Sequence, residues 1–220
     1  MTATEHRNLA RLGDDDRRRL LEAARRRKFS RGEVVFHEGD AGDSLYLIDR
    51  GHVAIRVTTA LGDVATLVVL GPGDSFGEGA LLAPDALRTA TAVAVESLEA
   101  RSVHRHDFEA LRTSHPSINE FLIDVLAAQV RRLSGHLVEA LYVSVDTRVL
   151  RRVQALAALY ADGSPTVTIP LTQDDIATMA GTTRPTANRV LKAAEDDGIL
   201  LLARGRVEVL DEARLERKAR

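Results

Sequence analysis

The most informative part of the sequence is the stretch Phe76-Gly77-Glu78-Gly79-Ala80-Leu81-Leu82, which a short loop separates from Arg88-Thr89-Ala90. We call residues 76–90 the cassette. A buried phosphodiester with one negative charge needs backbone N–H donors, a guanidinium group and a hydroxyl close together. Gly77 and Gly79 carry no side chain, so the backbone can approach such an anion closely. The cassette therefore predicts a small anion-binding site.

The polar side chains of the cassette have complementary roles in this interpretation. Arg88 supplies the positive charge, and Thr89 supplies a hydrogen bond. Glu78 would repel a phosphate by itself, but it fits if it accepts a hydrogen bond from a sugar hydroxyl while Arg88 offsets its charge. The alternative is that the glycines only turn the chain and that Glu78 and Arg88 form an internal salt bridge. The residues alone leave both interpretations open.

Short apolar segments alternate with glycine-containing turns around the cassette, from about residue 29 to residue 105. Turn residues stand at Gly39 to Asp43 and at Gly71 to Asp74. A spacing of roughly 8 to 12 residues between such segments is typical of an antiparallel sandwich or barrel. The clearest predicted strands are Glu33–His37, Ser44–Asp49, His52–Thr58 and Val64–Leu70.

A long helix is predicted at residues 117–143, directly after Pro116. At 1.5 Å per residue it would be about 40 Å long. Its apolar residues recur every three or four positions and so share one face, which needs a domain or a partner chain to cover it. Gly135 weakens this helix by about 1 kcal/mol relative to Ala. We call this face the apolar stripe, and it consists of Leu126, Val130, Leu133, Leu137 and Leu141.

The carboxy-terminal part has the spacing of a helix-turn-helix. Thr172 can cap a first helix, with Asp175 at the third helical position of a capping box. Gly181 allows the sharp turn between two helices. A second helix is predicted from about Thr183 to Asp197, and Gly198 is a suitable residue to follow its end.

The second helix carries side chains that suit DNA recognition. Arginine reads guanine O6 and N7, asparagine reads adenine, and lysine or threonine contacts phosphates. Arg204 and Arg206 lie in a following hairpin that resembles the wing of winged-helix domains and would face the DNA backbone. The alternative is a small helical domain with an ordinarily charged surface. The predicted DNA-binding residues of the helix are Thr183, Arg184, Thr186, Asn188, Arg189 and Lys192.

The composition excludes several functional classes. The 220 residues include no Cys, which excludes disulfides, thiolate zinc sites and Cys-ligated iron–sulfur clusters. No apolar run reaches the ~18 to 20 residues that cross a bilayer, so a cytoplasmic protein without a membrane partner is expected. No nucleophile–base pair, metal motif or nucleotide-triphosphate loop is evident, and we expect neither an enzyme nor a bound metal or cofactor.

The charge balance leaves nucleic-acid binding open. The chain has 30 Lys plus Arg and 32 Asp plus Glu, a net charge of −2, so any DNA footprint must depend on a local cluster of cations. Two basic runs, Arg17–Arg19 and Arg25–Lys28, are interpreted as solvated helix faces.

The cassette resembles the cyclic-nucleotide-binding β-roll. The order of β-roll, long helix and winged helix-turn-helix resembles the transcription regulators of the cyclic-AMP receptor protein and FNR (CRP/FNR) superfamily. This resemblance implies an α+β fold with a β-roll domain at residues 1–115, a dimerisation helix at 116–145 and a DNA-binding domain at 146–220. It also implies cyclic-nucleotide contacts from Gly77, Glu78, Gly79, Ala80, Arg88, Thr89 and Ser134.

The resemblance further implies a set of partners. In that family the long helix forms a parallel dimer seam, so a homodimer through residues 117–143 is expected. Two recognition helices about 34 Å apart would then bind near-palindromic double-stranded DNA, and RNA polymerase is the expected protein partner. The implied effector is a cyclic nucleotide, with cyclic AMP as the first candidate and cyclic GMP as the second. The alternative is a regulator of the same fold that uses no cyclic nucleotide.

Three positions depart from the family pattern. Pro185 stands where the cyclic-AMP receptor protein has a base-reading Glu, so the DNA sequence recognised should differ. Leu133 and Ser134 stand where that protein has two hydroxyl residues facing the base, and only Ser134 can form a hydrogen bond. Thr89 replaces a Ser, as in some cyclic-GMP binders.

Overall fold

The computed structural model of the chain describes residue 9 and residues 12–60, 62–83 and 85–220. The chain divides into two compact units. The first consists of Met1–Val57 and Val69–Leu133, and the second consists of Thr58–Val68 and Ser134–Arg220.

The predicted strands, long helix, helix-turn-helix and hairpin follow one another in the predicted order, with further helices and strands between them. Up to residue 142 they are α1 (Asp14–Ala23), β1 (Arg25–Phe29), β2 (Val34–Phe36), β3 (Ser44–Arg50), β4 (Val53–Thr58), β5 (Val64–Leu70), β6 (Ser75–Phe76), a 3-10 helix (Glu78–Leu81), β7 (Thr91–Ala94), β8 (Leu98–His104), α2 (Arg105–Ser114) and α3 (Ser117–Tyr142). They continue with α4 (Val145–Tyr160), β9 (Val167–Ile169), α5 (Gln173–Met179), α6 (Arg184–Asp196), β10 (Leu200–Ala203), β11 (Arg206–Val209) and α7 (Glu212–Lys218).

Two four-stranded sheets form the β-rich part of the chain. Their strand orders are β1-β8-β3-β6 and β2-β7-β4-β5. Pairing is antiparallel, with Tyr46 opposite Ser102 in the first sheet and Ala54 opposite Val93 in the second. The β-roll and the α+β fold class are thus confirmed. Strand β5 has the predicted bounds, and β2, β3 and β4 differ from theirs by one residue at one or both ends.

Three helices bury the apolar side of the first unit. Helix α2 contributes Phe108 and α3 contributes Phe121, whose rings lie 6.5 Å apart. They join Leu45 and Leu47, two completely buried residues of β3. Burial of leucine and phenylalanine side chains contributes roughly 1.5–3 kcal/mol each. The first turns of α3 are therefore fixed to the β-roll.

The basic run Arg25–Lys28 corrects the sequence interpretation. It forms strand β1 rather than a helix face, because it pairs along its whole length with β8 at the edge of the first sheet. Its cations are exposed, and exposed charges on an edge strand oppose further strand pairing. The other run, Arg17–Arg19, lies in α1 as expected and pairs with Asp14 and Asp15.

The apolar stripe of α3 is mostly uncovered in the single chain. Val130, Leu133, Leu137 and Leu141 are each between 56% and 66% exposed. Gly135 lies within this stretch, and a Cβ added there would meet no described atom within 4 Å. In the part of the chain that the structure describes, no helix is both long and apolar enough to span a membrane.

The carboxy-terminal part of the second unit is a winged helix-turn-helix. Helices α4 to α7 surround a three-stranded sheet of order β10-β11-β9. The sequence predicted β10 and β11 but not β9. Strand β9 pairs with β11 and buries Val167 and Ile169.

A matched pair of glycines tests the packing of the β-roll. Gly51 and Gly32 both have φ = +81°, but a Cβ on Gly51 would lie 2.2 Å from the Ser97 carbonyl oxygen, whereas one on Gly32 meets no described atom within 4 Å. We expect Gly32→Ala to lower the free energy of unfolding by about 1–2 kcal/mol, the cost of left-handed backbone. Gly51→Ala should cost at least about 2 kcal/mol more, because overpacking adds to that strain. Urea denaturation followed by circular dichroism measures both, and equal losses would contradict the prediction.

Candidate ligand pocket and nucleic-acid interface

The cassette turns sharply at Gly77. Strand β6 ends at Phe76, Gly77 adopts a left-handed conformation with φ = +79°, and the 3-10 helix starts at Glu78. A Cβ at Gly77 would lie 2.7 Å from Nη1 of Arg88 and 3.1 Å from the Ser44 carbonyl oxygen. Only glycine therefore combines this turn with the close approach of the Arg88 side chain.

Arg88 is buried in the cassette, with 6% of its surface exposed. Its Nη1 donates a hydrogen bond to the Gly77 carbonyl oxygen at 3.0 Å. Its guanidinium carbon lies 4.1 Å from the centre of the Phe36 ring, a cation–π contact. Its Nε, also buried, donates no hydrogen bond to any residue that the structure describes. Burial lowers the pKa of Arg88, so the site holds a cation that would gain from a further acceptor.

The predicted alternative, a Glu78–Arg88 salt bridge, is not formed. The carboxylate closest to the guanidinium belongs to Asp43, whose Oδ1 lies 3.8 Å from Arg88 Nη2. The Ser44 hydroxyl donates a hydrogen bond to Asp43 and thereby lowers the pKa of that carboxyl. Glu78 is half-buried beside Gly77. Because it forms no salt bridge with Arg88, its carboxylate is available to accept a hydrogen bond.

Sequence reasoning missed the residues that surround Arg88. Phe36, Tyr46 and Phe76 form an aromatic cluster. The Tyr46 and Phe76 rings stack in it, with their centres 5.0 Å apart and an angle of 12° between their planes. Burial raises the pKa of the Tyr46 hydroxyl. Asp43 was recognised in the sequence only as the last residue of the predicted turn Gly39 to Asp43. The sequence does not show that this turn lies next to the cassette.

The structure brings most of the predicted ligand residues together. Thr89 is exposed next to buried Arg88, and Ala80 is a buried residue of the 3-10 helix. Ser134 is an exposed residue of α3 that belongs to the second unit, so its approach to a ligand stays a prediction. The residues that share the cassette are Gly77, Glu78, Gly79, Ala80, Arg88 and Thr89.

The helix-turn-helix begins with the predicted capping box. The Asp175 backbone N–H donates to Thr172 Oγ1 at 3.1 Å, and the Thr172 backbone N–H donates to Asp175 Oδ2 at 3.1 Å. Gly181, in the turn after α5, has φ = +63°. Arg148 of α4 holds this turn through a 3.0 Å hydrogen bond from Nε to the Ala180 carbonyl oxygen. These contacts fix where α6 starts.

Helix α6 separates a buried face from a polar one. Pro185 lies in its first turn, where proline removes no intrahelical hydrogen bond. Thr186 and Asn188 are half-buried, and the buried Oδ1 of Asn188 accepts no hydrogen bond from the described residues. The buried face consists of Ala187, Val190, Leu191 and Ala194. The exposed predicted residues are Thr183, Arg184, Arg189 and Lys192.

Two further contacts shape the polar surface around α6. Arg189 forms a bidentate ion pair with Asp146 of α4, with Nη1–Oδ2 at 3.2 Å and Nη2–Oδ1 at 2.5 Å, and the carboxylate raises the pKa of Arg189. Sequence reasoning missed Asp146. Arg204 and Arg206 flank the wing turn, and Arg206, which is exposed, also pairs with Glu208 at 2.8 Å.

One group of potential metal ligands lies outside both regions. Oxygen or nitrogen atoms of Asp15, Asp16 and His115 lie within 4.8 Å of one another. Asp15 already forms ion pairs with Arg18 and Arg19, which reduce its attraction for a metal ion. The absence of a metal site stays a prediction.

Two family models match this chain. One, described as a cyclic nucleotide-binding domain, matches residues 26–115. The other, described as a Crp-like helix-turn-helix domain, matches residues 147–218. Together with the β-roll and the winged helix-turn-helix, these matches define a transcription regulator that joins a cyclic nucleotide-binding domain to a DNA-binding domain.

Similar proteins match nearly the whole chain. The CRP-like cAMP-activated global transcriptional regulator of Mycobacterium tuberculosis is 34% identical over 195 residues, 87% of each chain. The cyclic AMP receptor protein of Thermus thermophilus is 36% identical over 191 residues, 87% of this chain and 86% of the relative. The chain therefore belongs to the CRP/FNR superfamily of transcription regulators, as the sequence predicted, and that family does not consist of enzymes.

Solved structures agree with this assignment. The crystal structure of the Thermus thermophilus catabolite activator protein covers 96% of this chain and 97% of its own, with a TM-score of 0.55 and 34% identity. FixK2 from Bradyrhizobium japonicum covers 90% of this chain and 98% of its own, with a TM-score of 0.77. Its identity of 20% supports the fold alone.

Proposed function

We propose that this chain is a homodimeric, sequence-specific DNA-binding regulator controlled by a cyclic nucleotide. The observation that carries the sensory part of this proposal is the buried Arg88 guanidinium, whose Nε donates no hydrogen bond to a described residue. Leaving a buried donor without an acceptor costs about 1–3 kcal/mol. A phosphate oxygen at this position would remove that cost and place a further negative charge beside the guanidinium.

A cyclic nucleotide fits the chemistry of the cassette. Its phosphodiester carries one negative charge, which suits one arginine together with the Thr89 hydroxyl and the backbone at Gly77 and Gly79. Its ribose offers a hydroxyl to Glu78, which forms no salt bridge with Arg88 and so keeps its acceptor atoms. The relatives named for cyclic AMP make that nucleotide the first candidate. Cyclic GMP is the second, because Thr89 resembles the residue of some cyclic-GMP binders.

The exposed apolar stripe supports the homodimer. Four of its residues are more than half exposed in the single chain, and such a continuous apolar face is costly in water. A second copy of α3 would cover it through residues 117–143, because the heptad-like spacing presents the same face on both helices. The dimer would then present two α6 helices to a near-palindromic duplex.

The remaining partners follow from this role. We propose that the regulator acts in the cytoplasm, where DNA is accessible to it, and that it contacts RNA polymerase there. A cyclic nucleotide controls DNA binding only if it has different affinities for two arrangements of the dimer. Ser134 of α3 is the proposed contact between the base and the dimer helix.

A regulator that uses no cyclic nucleotide is the second candidate. Arg88 already has the Gly77 carbonyl, the Phe36 ring and the Asp43 carboxylate around it. These groups offset part of the cost of burying its charge, so the β-roll could act as a scaffold alone. Nucleotide titration separates the two candidates.

The first prediction concerns the cassette. Isothermal titration calorimetry should detect binding of cyclic AMP, and Arg88→Met should weaken it at least about a hundredfold, because charge-assisted hydrogen bonds contribute roughly 1.5–3 kcal/mol each. Arg50→Met, which removes an exposed cation of the same unit, is the control and should bind normally. No heat with cyclic AMP or cyclic GMP at millimolar concentration would select the ligand-independent candidate.

A second prediction concerns the apolar stripe. Leu137→Gln places two amides in the proposed seam, so we expect the dimer dissociation constant to rise at least about tenfold. Arg131→Gln introduces the same residue at an exposed position of α3 outside the stripe and should change it little. Sedimentation equilibrium measures both constants, and a monomeric wild-type protein would contradict the homodimer.

A third prediction concerns α6. Arg189→Ala should weaken specific DNA binding by about 1–3 kcal/mol for each protomer and relax the preference at one base position in each half-site. Lys192→Ala should instead weaken binding about equally for all sequences, because a phosphate contact carries no sequence information. Fluorescence anisotropy with selected and scrambled duplexes measures both effects. Unchanged affinity would remove Arg189 from the DNA-binding residues.

A further inference from the structure

The ion pair between Asp146 and Arg189 has no counterpart elsewhere on α6. The helix carries three exposed cations, Arg184, Arg189 and Lys192. Of these three cations, only Arg189 forms an ion pair with a described residue, and its partner lies in the first turn of another helix, α4. Both partners belong to the second unit. The central cation of the recognition helix is thus the one held by a carboxylate.

The pair contributes little to stability. The side chains are 61% and 49% exposed, and exposed ion pairs of this kind contribute only about 0–1 kcal/mol, because water and salt screen them. A carboxylate in the first turn of a helix also interacts favourably with the helix dipole. That interaction explains an acidic residue at Asp146, but it does not explain why the residue engages Arg189.

The geometry fixes one edge of the Arg189 guanidinium. Nη1 and Nη2 each donate to a different oxygen of Asp146, so the two terminal nitrogens share one carboxylate. A guanidinium has five N–H donors in a rigid plane. Two are used here, and the other three, including that of Nε, remain for a second partner. A base edge with two acceptors, as in guanine, can receive two of these donors.

We infer that Asp146 is a positioning residue that increases the sequence selectivity of Arg189. It holds the guanidinium in one orientation, so that less conformational freedom is lost when Arg189 meets a guanine. Its negative charge also offsets the attraction of Arg189 for phosphates, which every DNA sequence presents. The carboxylate therefore lowers the affinity for all DNA sequences. The reduction in affinity is smallest at a site with a correctly placed guanine. This inference rests on the proposed DNA-reading role of α6.

Selection from a random DNA pool provides the probe for this inference. Duplexes with a randomised centre of about two helical turns (~21 base pairs) would be selected with the wild-type protein in the presence of cyclic AMP. The selected sequence and a scrambled version of it then serve as probes for each variant. Asp146→Asn removes the charge and keeps the shape. Asp196→Asn removes the same charge from an exposed residue at the far end of α6 and is the matched control.

Three results are expected for Asp146→Asn. The scrambled duplex should bind about tenfold more tightly, and the ratio of selected to scrambled affinity should fall about tenfold. The salt dependence of binding should steepen by about two units in the slope of log K against log salt, about one for each protomer, because both Arg189 side chains of the dimer become available to a phosphate. A repeated selection should lose its preference at one guanine position in each half-site, while the other positions keep theirs. Asp196→Asn should leave the ratio and the preferences unchanged.

A double-mutant cycle separates positioning from a general change of charge. If Asp146 acts through Arg189, then Asp146→Asn should not lower the ratio further when Arg189→Ala is already present. Additive effects, or a ratio that Asp146→Asn leaves unchanged, would overturn the inference. Thermal unfolding of each variant identifies any loss of DNA binding that comes from a destabilised fold. If Asp146→Asn is destabilised, Asp146→Ser repeats the comparison with a different neutral side chain.

The same data distinguish this inference from the proposed function. If the wild-type protein selects no sequence, sequence-specific DNA binding itself fails. If the wild type selects a sequence and Arg189→Ala lowers the ratio, the proposed function stands whatever Asp146→Asn does. A change in the ratio with Asp146→Asn, absent in Asp196→Asn and in the Arg189→Ala background, supports the positioning role.

Discussion

The burial of one guanidinium is the constraint on which the cassette of the β-roll depends. Arginine keeps its charge at any physiological pH, so a buried Arg88 must be surrounded by acceptors, a carboxylate or an aromatic face. The left-handed turn at Gly77 brings a carbonyl oxygen to 3.0 Å from Nη1, and Phe36 supplies the ring. Because any side chain at Gly77 would occupy the space of the guanidinium, the turn and the cation require each other.

Local signals in the sequence predicted much of this architecture. The capping box of Thr172 and Asp175 and the glycine turns depend on residues only a few positions apart, so the sequence displays them directly. The run Arg25–Lys28 misled for a physical reason: consecutive cations suit an exposed helix and an exposed edge strand equally. Only its pairing with β8, far along the chain, distinguishes the two.

The partners of the functional side chains were harder to predict. Asp43 and Phe36 reach Arg88 from distant strands and turns earlier in the chain, and Asp146 reaches Arg189 from another helix. No local periodicity links such pairs, because packing of the whole domain brings them together. Resemblance to a family supplied the proposed roles of Glu78 and Arg88, but it did not supply the residues that surround Arg88.

Gly135 weakens the middle of helix α3. Helix α3 contains residues of both units, and the division between them falls at Leu133 and Ser134, directly before Gly135. Glycine lowers the helical propensity by about 1 kcal/mol, and no described atom would obstruct a side chain there. The helical conformation of α3 is thus locally less stable at this position, and the methyl group of an alanine there would stabilise it. Around residue 135 the helix therefore depends more on the packing of its apolar stripe than on its own backbone preference.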